Sequence, residues 1–206
     1  MIRLKDLLYE TFDDAAFHGH GMTPQQMKTG TCSTTWSSPD QDTGCPQFEF
    51  SGKISKEDLN KATKYLNSED IGTIVGYSAG GALLLQAITS GAKKPGTVNL
   101  VAPAWKRKWV SGAIDPSKAG GSGFIIHGTD DSLVPLAHSV DLAQKSGMPL
   151  YVVKGANHVN ILKHKLSPSG KQVKDFAKAL ELLPDWGMGE GTSEDIKKQQ
   201  EFFNTL

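Results

Sequence analysis

Three side chains in this sequence could carry nucleophilic chemistry together. Ser78 sits in "IVGYSAGG" (Ile74–Gly81), between Gly76 and Gly80, after a β-branched apolar run and before a helical one. A serine hydroxyl is a poor nucleophile until a base takes its proton, and the base needs an acid to hold its tautomer. An imidazole stands in "GANHV" (Gly155–Val159) as His158, and carboxylates stand in "HGTDDSLVP" (His127–Pro135) as Asp130 and Asp131. The chain order is therefore Ser, Asp, His.

Those groups can meet only if the elements before them end on one rim. Short β-branched runs alternate with helical stretches, which argues for an α/β fold with a mostly parallel sheet. Strands are expected at 72–76, 97–101, 124–126 and 150–153, with poorer candidates at 11–17 and 33–38. Helices are expected at 55–67, opened by Ser55, and at 79–89, 105–112, 136–145 and 170–183, with a short one at 23–28. Ser78, the acids and His158 then each follow a strand, at the edge of a parallel sheet where ligands bind. Gly76 and Gly80 suit a sharp strand-to-helix turn that lifts Ser78 clear of the sheet. It also sets Ser78 beside the N-terminal amides of a helix.

With these pieces in order, the sequence from about Phe17 to Leu183 resembles the α/β-hydrolase superfamily. "GYSAG" resembles the nucleophile elbow, "HGTDDSLVP" the acid loop, and "NH" in "GANHV" the histidine loop. The alignment selects Asp131 as the acid and leaves Asp130 as its turn-forming neighbour. His127 reads as structural, bonded to backbone near the acid loop, and His138 and His164 as ordinary helix or loop residues. The resemblance implies a three-layer α/β/α sandwich with a trimmed sheet of about six strands. It also implies an oxyanion hole built from backbone N–H groups, one from Ala79 and one from the loop "FHGHGM", where His20 is the candidate donor. A metal site on His18 and His20 is the rival reading of that loop.

On the substrate side, only about twenty residues separate Val101 from Phe124. One short helix fits there and a cap domain does not, so an open site is expected. Trp105 and Trp109, in the basic run Trp105–Trp109, are candidates for stacking on a sugar-bearing or anionic substrate. A solvated helix with half-buried tryptophans is the alternative. Tyr77 is expected to wall the pocket.

Lys and Arg number 22, as do Asp and Glu, among 206 residues, so no net charge draws the chain to nucleic acid. No apolar run reaches the ~20 residues of a membrane span, and no secretory signal is visible, which predicts a cytoplasmic protein. Cys32 and Cys45 read as free thiols, with a disulfide as the alternative. The opening "MIRLKDLLYE" resembles a leader of tailed-phage proteins, which would put the protein in a host cytoplasm or a virion. Residues 1–186 are expected to form the main domain, and 187–206 a glycine-rich hinge and a polar helix capped by Thr192 and Asp195. The function expected is that of a serine esterase using Ser78, His158 and Asp131 on a small or sugar-linked ester, with no metal or organic cofactor. A thioesterase, peptidase or acyltransferase with the same residues is the alternative among enzymes. A non-catalytic protein that docks through its C-terminal helix is the alternative outside them.

Overall fold

The computed structural model describes residues 15–20, 48, 50, 53–68, 70–106, 110, 112–164, 168–187 and 189–206. Its centre is a six-stranded sheet in sequential order: β1 (Ala15–Phe17), β2 (Thr73–Tyr77), β3 (Thr97–Val101), β4 (Ser122–Gly128), β5 (Leu150–Val153) and β6 (Lys171–Val173). The first five strands are parallel and β6 pairs antiparallel with β5. The register aligns the carboxyl ends, with Phe17 opposite Gly76, Tyr77 opposite Val101, Val101 opposite Ile126 and Gly128 opposite Val153. Whatever follows β1 to β5 therefore emerges along one rim.

Among the described residues, five α-helices connect and flank the strands: α1 (Lys56–Ser68), α2 (Ala79–Thr89), α3 (Leu136–Ser146), α4 (Phe176–Leu182) and α5 (Ser193–Thr205). Alternation along the strands divides the core in two. Phe17, Ile74, Leu100, Ile125, Leu150 and Val173 face the side on which all five of these helices contribute apolar residues. Ala16, Val75, Val101, Ile126 and Val153 face the other side, where Ile161 of a 3-10 turn (Asn160–His164) packs among them. Strands apolar on both faces are what a parallel sheet inside an α/β fold requires. Among the described residues, the second covering layer is represented by that turn.

α2 is apolar on every side, with all residues from Ala79 to Ile88 buried, as suits a helix at the centre of the core. It can lie so close to β2 because both are notched with glycine. A Cβ on Gly76 would come within 2.8 Å of Gly81 Cα. α1 starts at the expected serine: Ser55 Oγ accepts the Asp58 N–H at 2.9 Å, and Asp58 Oδ2 accepts from Ser55 in return.

Two expected elements come out differently. The helix expected over 170–183 is a strand followed by a shorter helix. Gly170 has φ +92°, and a Cβ there would lie 2.0 Å from Val152 O, so the chain turns tightly back onto β5. Lys171–Val173 then pairs along the edge of β5, and Asp175 caps α4 by accepting the Lys178 N–H at 3.0 Å. The segment expected as a helix at 105–112 has no helical residue among those described. A 3-10 turn at Pro116–Ala119, capped by Asp115, lies further along. Among the described residues, no cap is evident between β3 and β4. The helix at 23–28, the strand at 33–38, Cys32, Cys45, Trp109 and the opening ten residues fall outside the described residues. No helix described is long and apolar enough to cross a membrane.

Candidate active site

The rim gathers Ser78, Asp131 and His158, which are 80, 53 and 27 residues apart in their pairings only in sequence; in space they form one hydrogen-bonded chain. Ser78 stands between β2 and α2 with φ 50° and ψ −116°, a left-handed backbone that costs a non-glycine residue about 1–3 kcal/mol. The surroundings impose it. Ser78 N–H donates to Val101 O at 3.0 Å, while Ser78 O accepts from Ala104 N–H at 3.0 Å and Ala82 N–H at 3.3 Å. Gly80 lies under the end of β1, where a Cβ would fall 2.1 Å from Phe17 O. The strain is thus held by the surrounding backbone at this one residue, which is itself mostly buried.

His158 Nε2 lies 3.0 Å from Ser78 Oγ, and His158 Nδ1 lies 2.6 Å from Asp131 Oδ2. A carboxylate only accepts, so Nδ1 carries the proton and Nε2 is left to accept from the serine. Asp131 is fully buried. Burial alone would raise its pKa. The His158 hydrogen bond, the electrostatic pull of the His127 and His158 rings and the Val134 N–H outweigh this and hold the carboxyl below its ordinary value. Its second oxygen accepts the N–H groups of Leu133 and Val134, each at 2.9 Å. Asp130 is turned elsewhere, accepting from Thr129 Oγ1 and Gln200 Nε2. His127 spans the acid loop, donating from Nε2 to Val134 O at 3.0 Å and accepting from Ser139 Oγ at 2.7 Å.

The acid and histidine loops are tied to each other. Asp130 N–H donates to Ala156 O at 2.9 Å, and Gly155 N–H to Thr129 Oγ1 at 2.9 Å. Asn157 then folds the chain around His158, its side-chain oxygen accepting the N–H groups of Val159 and Asn160. This Asx turn is the physical content of the "NH" pair.

Ala79 is the first residue of α2, where a helix leaves its amides without intrahelical partners. The loop after β1 lies against the elbow, since a Cβ on Gly19 would come within 3.2 Å of Ser78 Cβ. His20 follows directly and is exposed. His18 is not available to a metal: Nδ1 donates to Gly19 O at 2.8 Å and Nε2 accepts the Phe48 N–H at 2.9 Å. Among the described residues, no group of three His, Cys, Asp or Glu could hold a metal ion.

Two residues expected to meet substrate do not face it. Tyr77 is 5 % exposed and donates its hydroxyl to His158 O at 2.9 Å, with its ring 5.0 Å from the imidazole. It props the histidine loop from behind. Burial, and then the Asp131 charge, push its pKa up. Trp105 is buried in the core, with Nε1 donating to His138 O at 2.8 Å and Lys106 and Lys145 over its ring. Its place on α3 comes from chain geometry that residue type does not reveal. Two further features went unread in the sequence. Ala102, just past β3, has φ 42° and abuts the elbow through the Ala104 bond. Gln199, fully buried on α5, bonds to the backbone of the acid loop.

No family model matches the chain, and no curated protein matches it. Several solved structures are similar to it in fold. The product of the ydeN gene of B. subtilis is similar at a TM-score of 0.51 and 19 % identity, over 71 % of this chain and 87 % of that one. A predicted CIB-like hydrolase from Thermoplasma acidophilum is similar at a TM-score of 0.51 and 20 % identity, over 94 % of this chain and 86 % of that one. The likeness is one of fold. Nothing in these comparisons supports the resemblance of the opening residues to a phage leader.

Proposed function

We propose that this protein is a serine hydrolase that cleaves carboxylic esters. The observation that carries the reading is the chain from Ser78 Oγ to His158 Nε2 at 3.0 Å and from His158 Nδ1 to Asp131 Oδ2 at 2.6 Å, built on a serine whose backbone is strained. Ser78 Oγ attacks the acyl carbon as His158 Nε2 takes its proton. Asp131 holds the imidazole in the required tautomer and stabilises the imidazolium. The N–H groups of Ala79 and His20 meet the charge that develops on the carbonyl oxygen, a role worth about 3 kcal/mol per donor. His158 returns the proton to the leaving alcohol, an acyl-enzyme remains on Ser78, and a water deprotonated by His158 releases the acid. Each step is carried by a group of this chain.

The similar structure described as a predicted hydrolase supports the reaction class, and the described residues between β3 and β4, among which no cap is evident, favour small or loosely held esters over long buried acyl chains. With Trp105 in the core, a preference for sugar-linked esters loses one of the two residues that suggested it. The test is intact-mass labelling with a fluorophosphonate, followed by turnover of matched ester, thioester and peptide substrates. One adduct on the wild type, none on Ser78→Ala, and fastest turnover of the ester is the expected result. An unlabelled, folded wild type would overturn the serine-hydrolase reading. Labelling with thioester or peptide turnover ahead of ester would move the substrate class.

A further inference from the structure

The mechanism leaves the C-terminal helix without a role, yet its most buried polar side chain ends on the acid loop. Gln199 is fully buried on α5. Its Nε2 donates to Thr129 O at 3.0 Å and to Asp131 O at 3.2 Å, and its Oε1 accepts the Leu136 N–H at 2.7 Å. One amide therefore grips both ends of the loop that carries Asp131. Leu136 opens α3, whose N-cap residue is Pro135, and no side chain of its own helix caps it. Gln199 supplies that missing acceptor from another element. The same helix reaches the loop once more, Gln200 Nε2 donating to Asp130 Oδ1 at 2.9 Å, and Gly191, just before its cap, donates its N–H to Ser132 O at 2.8 Å. α5 is itself fixed, by a capping box between Thr192 and Asp195 and by Phe202 and Phe203 in the core.

We infer that Gln199 is a positioning residue for Asp131, and through it for His158. This rests on the proposed role of Ser78, His158 and Asp131. A buried amide with every polar atom spent on one loop leaves three backbone groups unpaired when it is removed, and the loop must shift to resatisfy them. Asp131 is 2.6 Å from its histidine, so a shift of even part of an ångström misaligns the base. Binding at the serine is untouched, so the loss falls on the chemical step and not on association.

The test is the kinetics of fluorophosphonate inactivation, separated into kinact and KI, on wild type, Gln199→Leu, Gln199→Glu and Phe202→Leu. Leucine keeps the bulk of Gln199 and removes its three bonds. Phe202→Leu loosens the same helix from its core side without touching the loop. The expected result is a fall in kinact of about tenfold or more for Gln199→Leu at unchanged KI, with Phe202→Leu within about twofold of wild type at a comparable Tm. Should Gln199→Leu fail to fold, Gln199→Glu carries the test. It keeps the acceptor for Leu136 and sets a carboxylate against two carbonyl oxygens, so its kinact relative to wild type should fall as pH rises from 6 to 8. A folded Gln199→Leu at wild-type kinact would overturn the inference and leave the serine-hydrolase reading standing. So would equal losses in Gln199→Leu and Phe202→Leu, or, where Gln199→Glu decides, a ratio to wild type that does not move with pH. An unlabelled wild type would overturn both.

Discussion

Two adjacent aspartates stand in the acid loop, and only one of them faces the histidine. That difference makes a sharp prediction. Asp131→Asn can donate where the carboxylate accepted, which favours the wrong imidazole tautomer, and activity should fall by about 10⁴-fold. Asp130→Asn keeps the acceptor used by Thr129 and Gln200 and should leave activity within a few-fold. A pair of purified variants assayed on one ester decides it, and similar losses in both would refute the assignment of Asp131. Tyr77→Phe keeps the ring against His158 and removes one hydroxyl bond to its carbonyl, so turnover should drop several-fold while KM holds; a rise in KM alone would restore Tyr77 as a substrate contact. Ser78, Asp131 and His158 were legible because each lies in a short motif whose neighbours do local work, such as the glycines of the elbow and Asn157 of the Asx turn. Tyr77 and Trp105 were misread for the opposite reason. Their nearness to the motifs was legible, but the direction of an aromatic side chain depends on which face of the sheet its residue takes, and that is set by packing.

At the scale of the element, the strand–elbow–helix unit is where local preference and function conflict. Ser78 holds φ 50° against the preference of its own side chain. Ser78→Gly removes the Cβ that makes this backbone costly, and Ser78→Ala keeps it, so on the proposed mechanism both should lose activity, and the glycine variant should be the more stable by about 1–2 kcal/mol. Urea unfolding of the two would measure the gap, and an alanine variant as stable as the glycine one would mean the elbow stores no strain. Gly80→Ala places a methyl 2.1 Å from Phe17 O, against backbone that cannot swing aside. It should destabilise by more than about 3 kcal/mol or fail to fold, as thermal unfolding would show. The long periodic elements were readable for the same reason they are stable: α2, β2, β3 and α3 carry continuous apolar patterns between clear capping or turn residues. The region after β5 was not. A three-residue edge strand such as Lys171–Val173 has no room to display alternation, and its apolar Val173 happens to keep helical spacing with Phe176, Ala177 and Leu180. The six strands that the resemblance implies are met among the described residues, with β6 as a member; the strand expected at 33–38 lies outside them.

Over the whole molecule, zero net charge hides an uneven distribution of titrating groups, because His18, His127 and His138 are almost wholly shut off from solvent, each 3 % exposed or less. Burial is the leading cause that lowers the pKa of all three from 6.5, in the last to about 4. Partial offsets come from Gly19 O and Asp58 at His18, from Asp131 and Val134 O at His127, and from Asp185 at His138, which also feels Lys106 and His127. Their hydrogen bonds suit neutral rings. His18 Nε2 accepts from Phe48 N–H, and a proton there would set donor against donor. The unfolded chain takes up protons at these residues as pH falls through about 6.5, while the folded chain resists until well below, so between those limits the unfolded state binds more protons. The stability they contribute is therefore full above about 6.5 and is lost as pH falls toward the folded pKa values, for His138 toward about 4. Each such histidine steepens the dependence by up to about 1.4 kcal/mol per pH unit. Asp131, also depressed, adds its own loss lower still, below the ordinary carboxylate value of 3.8. Urea unfolding between pH 7 and pH 5 should show stability falling steadily on acidification, and His138→Gln, which keeps a donor for Asp185 and cannot titrate, should lessen the slope. The two measurements divide the causes: a flat profile in the wild type would mean these rings protonate without unfolding the chain, and an unchanged slope in the variant would place the loss on His18 and His127, the two histidines that hold the rim.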